Sequence, residues 1–183
     1  MSDAGDRTLE ILAQLIGFNT TSHKSNLNLI EFVEEYLARH GVSAQRIESD
    51  DNTKSNLLAT IGPDIPGGVV LSGHTDVVPV TGQDWTSDPF VMDTRTVNGA
   101  VRHFARGTAD MKGFIAAVLA RVPDLIAANL KTPIHIALSY DEEVGCIGVG
   151  RMIARLGDTI PMPTIAIVGE PTSMQIVTGH KGI

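Results

Sequence analysis

A short apolar run, Val69-Val70-Leu71, rises out of a Pro66-Gly67-Gly68 turn signal and leads into Ser72-Gly73-His74-Thr75-Asp76. Branched aliphatic residues bounded by such punctuation read as a buried strand. At its end a histidine and an aspartate stand two residues apart, and in extended chain such a pair points to one side. Imidazole beside carboxylate is the arrangement that sets the tautomer of a metal-binding histidine and raises its basicity. A polar pair that merely finishes a strand has the same sequence, so the rest of the chain must decide between the two.

Helical and extended patterns alternate along all 183 residues. Leu9, Leu12, Leu15 and Ile16 recur at helical spacing and stop at Gly17. Leu27, Ile30, Val33, Tyr36 and Leu37 mark a second amphipathic helix, with Ser25 placed to cap its start and Gly41 at its end. Residues 42–47 and 56–61 read as strands, and residues 79–104 show little regular periodicity. The run Phe114 to Ala120 reads as a buried helix that Pro123 interrupts, with a second short helix over 124–130. Residues 133–140 and 164–168 read as strands and 144–156 as a helix; another strand is expected to begin over 175–180. Gly145, Gly148 and Gly150 suggest close packing on the sheet, but their order is wrong for a dinucleotide loop. Strand–helix alternation of this kind predicts an α/β fold, a mostly parallel sheet flanked by helices.

Composition narrows the partners. With 14 basic and 21 acidic residues the net charge is -7, and no Lys/Arg-rich block supports binding to nucleic acid. Cys146 is the one cysteine, so an internal disulfide framework is excluded and a reducing, cytoplasmic setting is expected. The acidic N-terminus lacks the order of a secretory signal, and the longest apolar stretch is too short to cross a bilayer.

The remaining acidic stretches share a topological position. Asp110 sits in a Gly-rich turn before a helix; Asp141-Glu142-Glu143 and Glu170 each follow a strand. In an open α/β sheet, sites form beyond the carboxyl ends of the strands. Carboxylates gathered there repel one another unless a cation neutralises them. A pair of divalent metals resolves that conflict, and imidazole with carboxylates suits zinc without excluding cobalt or manganese.

Ser72-Gly73-His74-Thr75-Asp76-Val77-Val78-Pro79, Arg106 to Gly113, Asp141-Glu142-Glu143 and Gly169-Glu170-Pro171-Thr172 resemble, in order, the signatures of the M20 family of di-zinc peptidases and deacylases. The resemblance implies a zinc-exopeptidase-like catalytic domain. It implies His74, Asp110 and Glu170 at one metal, Asp110 bridging to a second held also by Glu143, and a cis bond between Asp110 and Met111. Glu142 is then the general base acting on water, and Asp76 orients His74. The implied cofactor is Zn2+, two per complete site, with Co2+ as a substitute. The implied substrate is a small N-acyl amino acid. Thr20 to Asn26, Tyr140 to Gly148 and Gly179 to Gly182 narrow this to removal of acetate from N2-acetyl-L-ornithine, a step of arginine biosynthesis. Succinyl-diaminopimelate desuccinylation and general aminoacylase activity are the neighbouring possibilities.

Two departures from the family pattern matter. Residues 98–106 are not the compact Gly-x-x-Tyr-Gly-Arg that usually precedes the bridging aspartate. Residues 179–183 match the opening of a lid or dimerisation domain, so 1–178 are expected to be the N-terminal part of the catalytic domain. The resemblance implies a homodimer for the full-length family, and an uncovered sheet edge or face would favour self-association of this chain. The second metal then has two candidate ligands, fewer than the three usual for catalytic zinc. A weak catalyst is one expectation; a non-catalytic metal-binding fragment is the other. Asp110 is also placed to cap the following helix, and Lys112 is either structural or substrate-facing. His23, His40, His103 and His135 match no ligand motif.

Overall fold

The computed structural model describes residues 4–178. β3 (Val69–His74) lies inside a sheet, with β6 (Ile134–Ser139) on one side and β7 (Ile165–Val168) on the other, both parallel to it. β2 (Ser55–Ile61) pairs antiparallel with β6, and β1 (Ala44–Glu48) antiparallel with β2, giving the order β1-β2-β6-β3-β7. Four of these five strands therefore point one way, which is the mostly parallel α/β sheet that the sequence pattern predicts.

Alternation along the strands divides the core. Leu57, Ala59 and Ile61 of β2, with Ile136 and Leu138 of β6, face α1 (Ala4–Gly17), α2 (Leu27–Arg39) and α3 (Lys112–Ala127). Leu58, Val70 and Ala137 face the other way, onto Met152 of the short helix α4 (Val149–Ile153) and Ile160. Leu15, Ile16, Leu29, Ile30, Leu37, Ile115 and Leu119 are wholly buried in the first layer. Each such side chain contributes about 1.5–3 kcal/mol relative to exposure.

Pro123 does not divide the third helix. α3 runs unbroken from Lys112 to Ala127 with Pro123 inside it. A proline cannot donate to the carbonyl four residues before it, which here belongs to Leu119. The Tyr36 hydroxyl of α2 donates to that carbonyl instead, at 2.9 Å. Tertiary packing thus supplies the bond that local sequence removes. Lys112, at the start of α3, is fully buried, and its Nζ donates to the carbonyls of Leu15 (3.0 Å) and Phe18 (2.7 Å) at the C-terminus of α1. Burial pushes its pKa down to about 7. Its role is structural: it caps α1 from the side.

Four further expectations are corrected. Within 79–104, β4 (Asp93–Val97) and β5 (Ala100–Phe104) form a hairpin. Asn98 (φ 52°) and Gly99 (φ 76°) make its two-residue turn, since both central positions of such a turn require positive φ. The helix expected over 144–156 shrinks to Val149–Ile153, because residues 141–147 close into tight turns, with Gly145 and Cys146 both donating to the Glu142 carbonyl. Close glycine packing holds at Gly148, where a Cβ would meet the Tyr140 carbonyl oxygen at 2.2 Å, but Gly145 and Gly150 face open space. Residues 175–178 are not extended in a sheet, and 179–183, expected to open a further domain, lie outside the described residues.

Replacing Tyr36 by Phe leaves the Leu119 carbonyl without a donor and should lower stability by about 1–2 kcal/mol in urea denaturation. In a Pro123→Ala background the new backbone N–H can take that carbonyl, so the loss should shrink. An equal loss in both backgrounds would show that the hydroxyl is not compensating for the proline.

Candidate metal centre

The C-terminal ends of β3, β6 and β7 deliver His74, the 141–143 segment and Glu170 to one edge of the sheet. Asp110 arrives from the turn before α3. It does not cap that helix: the N-cap position is Met111, without a side-chain capping bond, and the Asp110–Met111 peptide is cis. The donor atoms of His74, Asp110 and Glu170 all lie within 4.8 Å of one another, the one such group of three among the described residues.

His74 is the fixed member. Its side chain is 1% exposed, whereas that of Asp110 is 48% exposed. Nδ1 donates to the Asp76 backbone carbonyl at 2.9 Å; the Asp76 carboxylate, at 3.6 Å, is too far for a hydrogen bond. With Nδ1 engaged, Nε2 faces Asp110 Oδ1 at 3.0 Å, Glu170 Oε1 at 3.6 Å and Glu142 Oε2 at 3.8 Å.

The Asp76 carboxylate has other work. Oδ2 accepts from the Ser22 hydroxyl (2.7 Å) and the Glu143 amide (3.3 Å), and Oδ1 accepts from the Glu142 amide (3.0 Å). It therefore holds the backbone of the Glu142–Glu143 segment as well as sitting beside the imidazole. Ser22 carries no metal-ligand signature, and its hydroxyl is legible as a partner only once the fold brings residues 22 and 76 together. Glu143 stays outside the group of three. His40, His103 and His135 are engaged elsewhere, against the Tyr36 carbonyl, Thr94 and Thr60.

Electrostatics favour a cation here. Burial raises the pKa of Glu170, as does the charge of Asp110, while His74 opposes the shift. Burial likewise raises Glu143, reinforced by Asp110. For Asp76 burial pushes upward, but the neighbouring His74 imidazole and hydrogen bonds from Ser22 and the Glu142 amide outweigh it and hold the carboxyl below its ordinary range. Burial alone would depress His74; Asp76 and then Glu170 overcome that and raise it to about 9. One imidazole with its Nε2 free and two converging carboxylates are donors that a divalent ion accepts, and an ion among them would relieve the crowding. The residues fit a metal.

Fold and site together define an α/β protein with a candidate metal centre at the carboxyl edge of its sheet. The chain belongs to peptidase family M20/M25/M40, whose model matches residues 70–180. It is 40% identical over 161 residues to acetylornithine deacetylase of Shigella sonnei (strain Ss046), covering 87% of this chain and 40% of that protein. It is 36% identical over 181 residues to acetylornithine deacetylase of Proteus mirabilis (strain HI4320), covering 95% and 45%. The chain thus spans less than half the length of these curated relatives. Human carnosine dipeptidase 1 shares the fold at TM-score 0.73 and 20% identity, over 89% of this chain and 38% of that one. The M20 family metallo-carboxypeptidase Sso-CP2 of Sulfolobus solfataricus does so at 0.71 and 20%, over 90% and 37%.

In the metal-free chain the His74 ring should titrate near 9, against an ordinary value of 6.5. A raised pKa stabilises the fold fully below 6.5, and the contribution is lost as pH rises through about 9. Because ligation needs the neutral ring, metal affinity should climb over the same interval. NMR titration of the imidazole checks this; titration near 6.5 would show that Asp76 and Glu170 do not act on it.

Proposed function

We propose that this chain carries the ligand-bearing part of a metal-dependent amidohydrolase that acts on N2-acetyl-L-ornithine, yielding ornithine and acetate. The observation that supports it is the convergence of His74, Asp110 and Glu170 with Glu142 beside them, in a chain of this family. His74, Asp110 and Glu170 would hold the ion, zinc by preference and cobalt as a substitute, and Glu143 would serve a second. Bound there, a divalent ion supplies Lewis-acid polarisation of the acyl oxygen and a lowered pKa for water.

The chain's own groups supply the rest. Glu142 is the base: its carboxylate, 37% exposed, faces the site while its amide is held by Asp76. It takes a proton from water as the water oxygen bonds to the acyl carbon, and returns that proton to the amine nitrogen as the C–N bond breaks. Asp76 keeps His74 in the tautomer that leaves Nε2 free. Residues 1–178 would then form the N-terminal part of the catalytic domain. The exposed Ile165, Ile167 and Val168 of β7 favour self-association, in keeping with a homodimer.

A second reading has its own support. Glu143 lies outside the group of three, which leaves the second ion poorly provided. A metal-binding piece with little turnover fits that geometry, and slow hydrolysis by this chain alone is the expected outcome.

Purified chain loaded with zinc or cobalt should release acetate from N2-acetyl-L-ornithine faster than it cleaves N-succinyl or other N-acyl amino acids. Glu142→Gln should lower the rate by about 10²–10⁴-fold with metal content unchanged. Metal binding without hydrolysis of any of these substrates would favour the non-catalytic reading. Absence of metal binding would overturn both.

A further inference from the structure

Lys54 stands in the polar run before β2, and no ligand motif includes it. Its Nζ lies 2.5 Å from Asp141 Oδ1 and 2.5 Å from the Ser22 carbonyl oxygen. The two side chains of the pair are only 15% and 14% exposed, so this is not a solvated surface contact. Screening is weak at such depth, and an Asp141 left without its cation would sit uncompensated beside Glu142 and Glu143.

The contacts close into a ring. Lys54 joins the Ser22 loop to Asp141; the Ser22 hydroxyl reaches Asp76; Asp76 holds the amides of Glu142 and Glu143, the residues next to Asp141. Asp141 itself takes a left-handed backbone (φ 57°), a conformation that a non-glycine residue keeps only when its surroundings hold it. Lys54 is anchored in turn. Its amide donates to Ser49 Oγ, and Asn26 brackets the backbone of the next residue, Ser55, from both sides. Among the described residues, His74 and Lys54 supply the cationic end of every ion pair made by Asp76, Asp110, Asp141, Glu142 and Glu170.

We propose that Lys54 is a positioning residue: through its ion pair with Asp141 it holds the turn that presents Glu142 and Glu143 to the metal centre. As a statement about catalysis this rests on the reading of Glu142 as the base. As a statement about geometry it can be tested without metal or turnover.

Hydrogen exchange of the metal-free chain is the test. In Lys54→Met the Glu142 and Glu143 amides should exchange about tenfold faster, the scale of one lost charge-assisted hydrogen bond, while the interior amides of β6 keep their protection. The Asp141→Asn variant should show the same local pattern. The double variant Lys54→Met/Asp141→Asn, which has no uncompensated charge, should recover thermal stability without recovering protection of the two amides. Unchanged exchange at Glu142 and Glu143, or equal acceleration throughout the chain, would overturn the proposal. In the metal-loaded chain, Lys54→Met should lower kcat about tenfold with little change in KM. Wild-type chain that binds no cobalt would end the hydrolase reading while the exchange result still decided the role of Lys54, so the two fail separately.

Discussion

A carboxylate on a residue only 2% exposed must find donors for its oxygens, and Asp76 finds three of them on two separate segments. Ser22 comes from the loop between the first two helices, and the Glu142 and Glu143 amides from the turn after β6. Leaving any of these unmade would cost about 1–3 kcal/mol per buried group. The same residue lends its backbone carbonyl to His74 Nδ1. One desolvated acid therefore determines the tautomer of the imidazole and the placement of the neighbouring glutamates. The candidate metal centre is arranged around a group that is not itself one of the three converging donors.

The layers behind that edge follow the same accounting. The Leu119 carbonyl that Pro123 cannot satisfy is satisfied by Tyr36, and the carbonyls at the end of α1 are satisfied by the Lys112 ammonium. Both bonds tie α3 to other helices of the same layer. α3 in turn carries, just before its first residue, the turn that positions Asp110. A local defect inside α3 and a buried cation at its head are thus part of what holds that helix, and the turn bearing Asp110, against the edge of the sheet.

Much of this was legible in the residues. Helical spacing in the first forty positions, the strand ending at His74, and the strand ends that precede Glu142 and Glu170 all depend on periodicity and turn chemistry, which are local. The Asn98-Gly99 turn was legible too, since that dipeptide between alternating residues is a strong hairpin signal, but the charged, weakly apolar strands beside it obscured the pattern. Pro123 misled for the opposite reason. The proline rule is local and correct, and a hydroxyl from residue 36 overrode it. Residues 144–148 have helical spacing, yet turns anchored on Asp141 and Glu142 compete for the same backbone groups.

From the sequence alone came the five strands of the main sheet and the first two helices, the family signatures and the list of acidic and imidazole groups, because each is written in neighbouring residues. Tertiary structure alone decided that His74, Asp110 and Glu170 meet while Glu143 stays apart. It alone turned the Asp76 carboxylate toward Ser22 and two amides, and gave Lys54 its partner 87 residues away. Those pairings join groups far apart along the chain, and burial makes them obligatory: once water is excluded, each polar atom must take whichever partner the packing brings within reach.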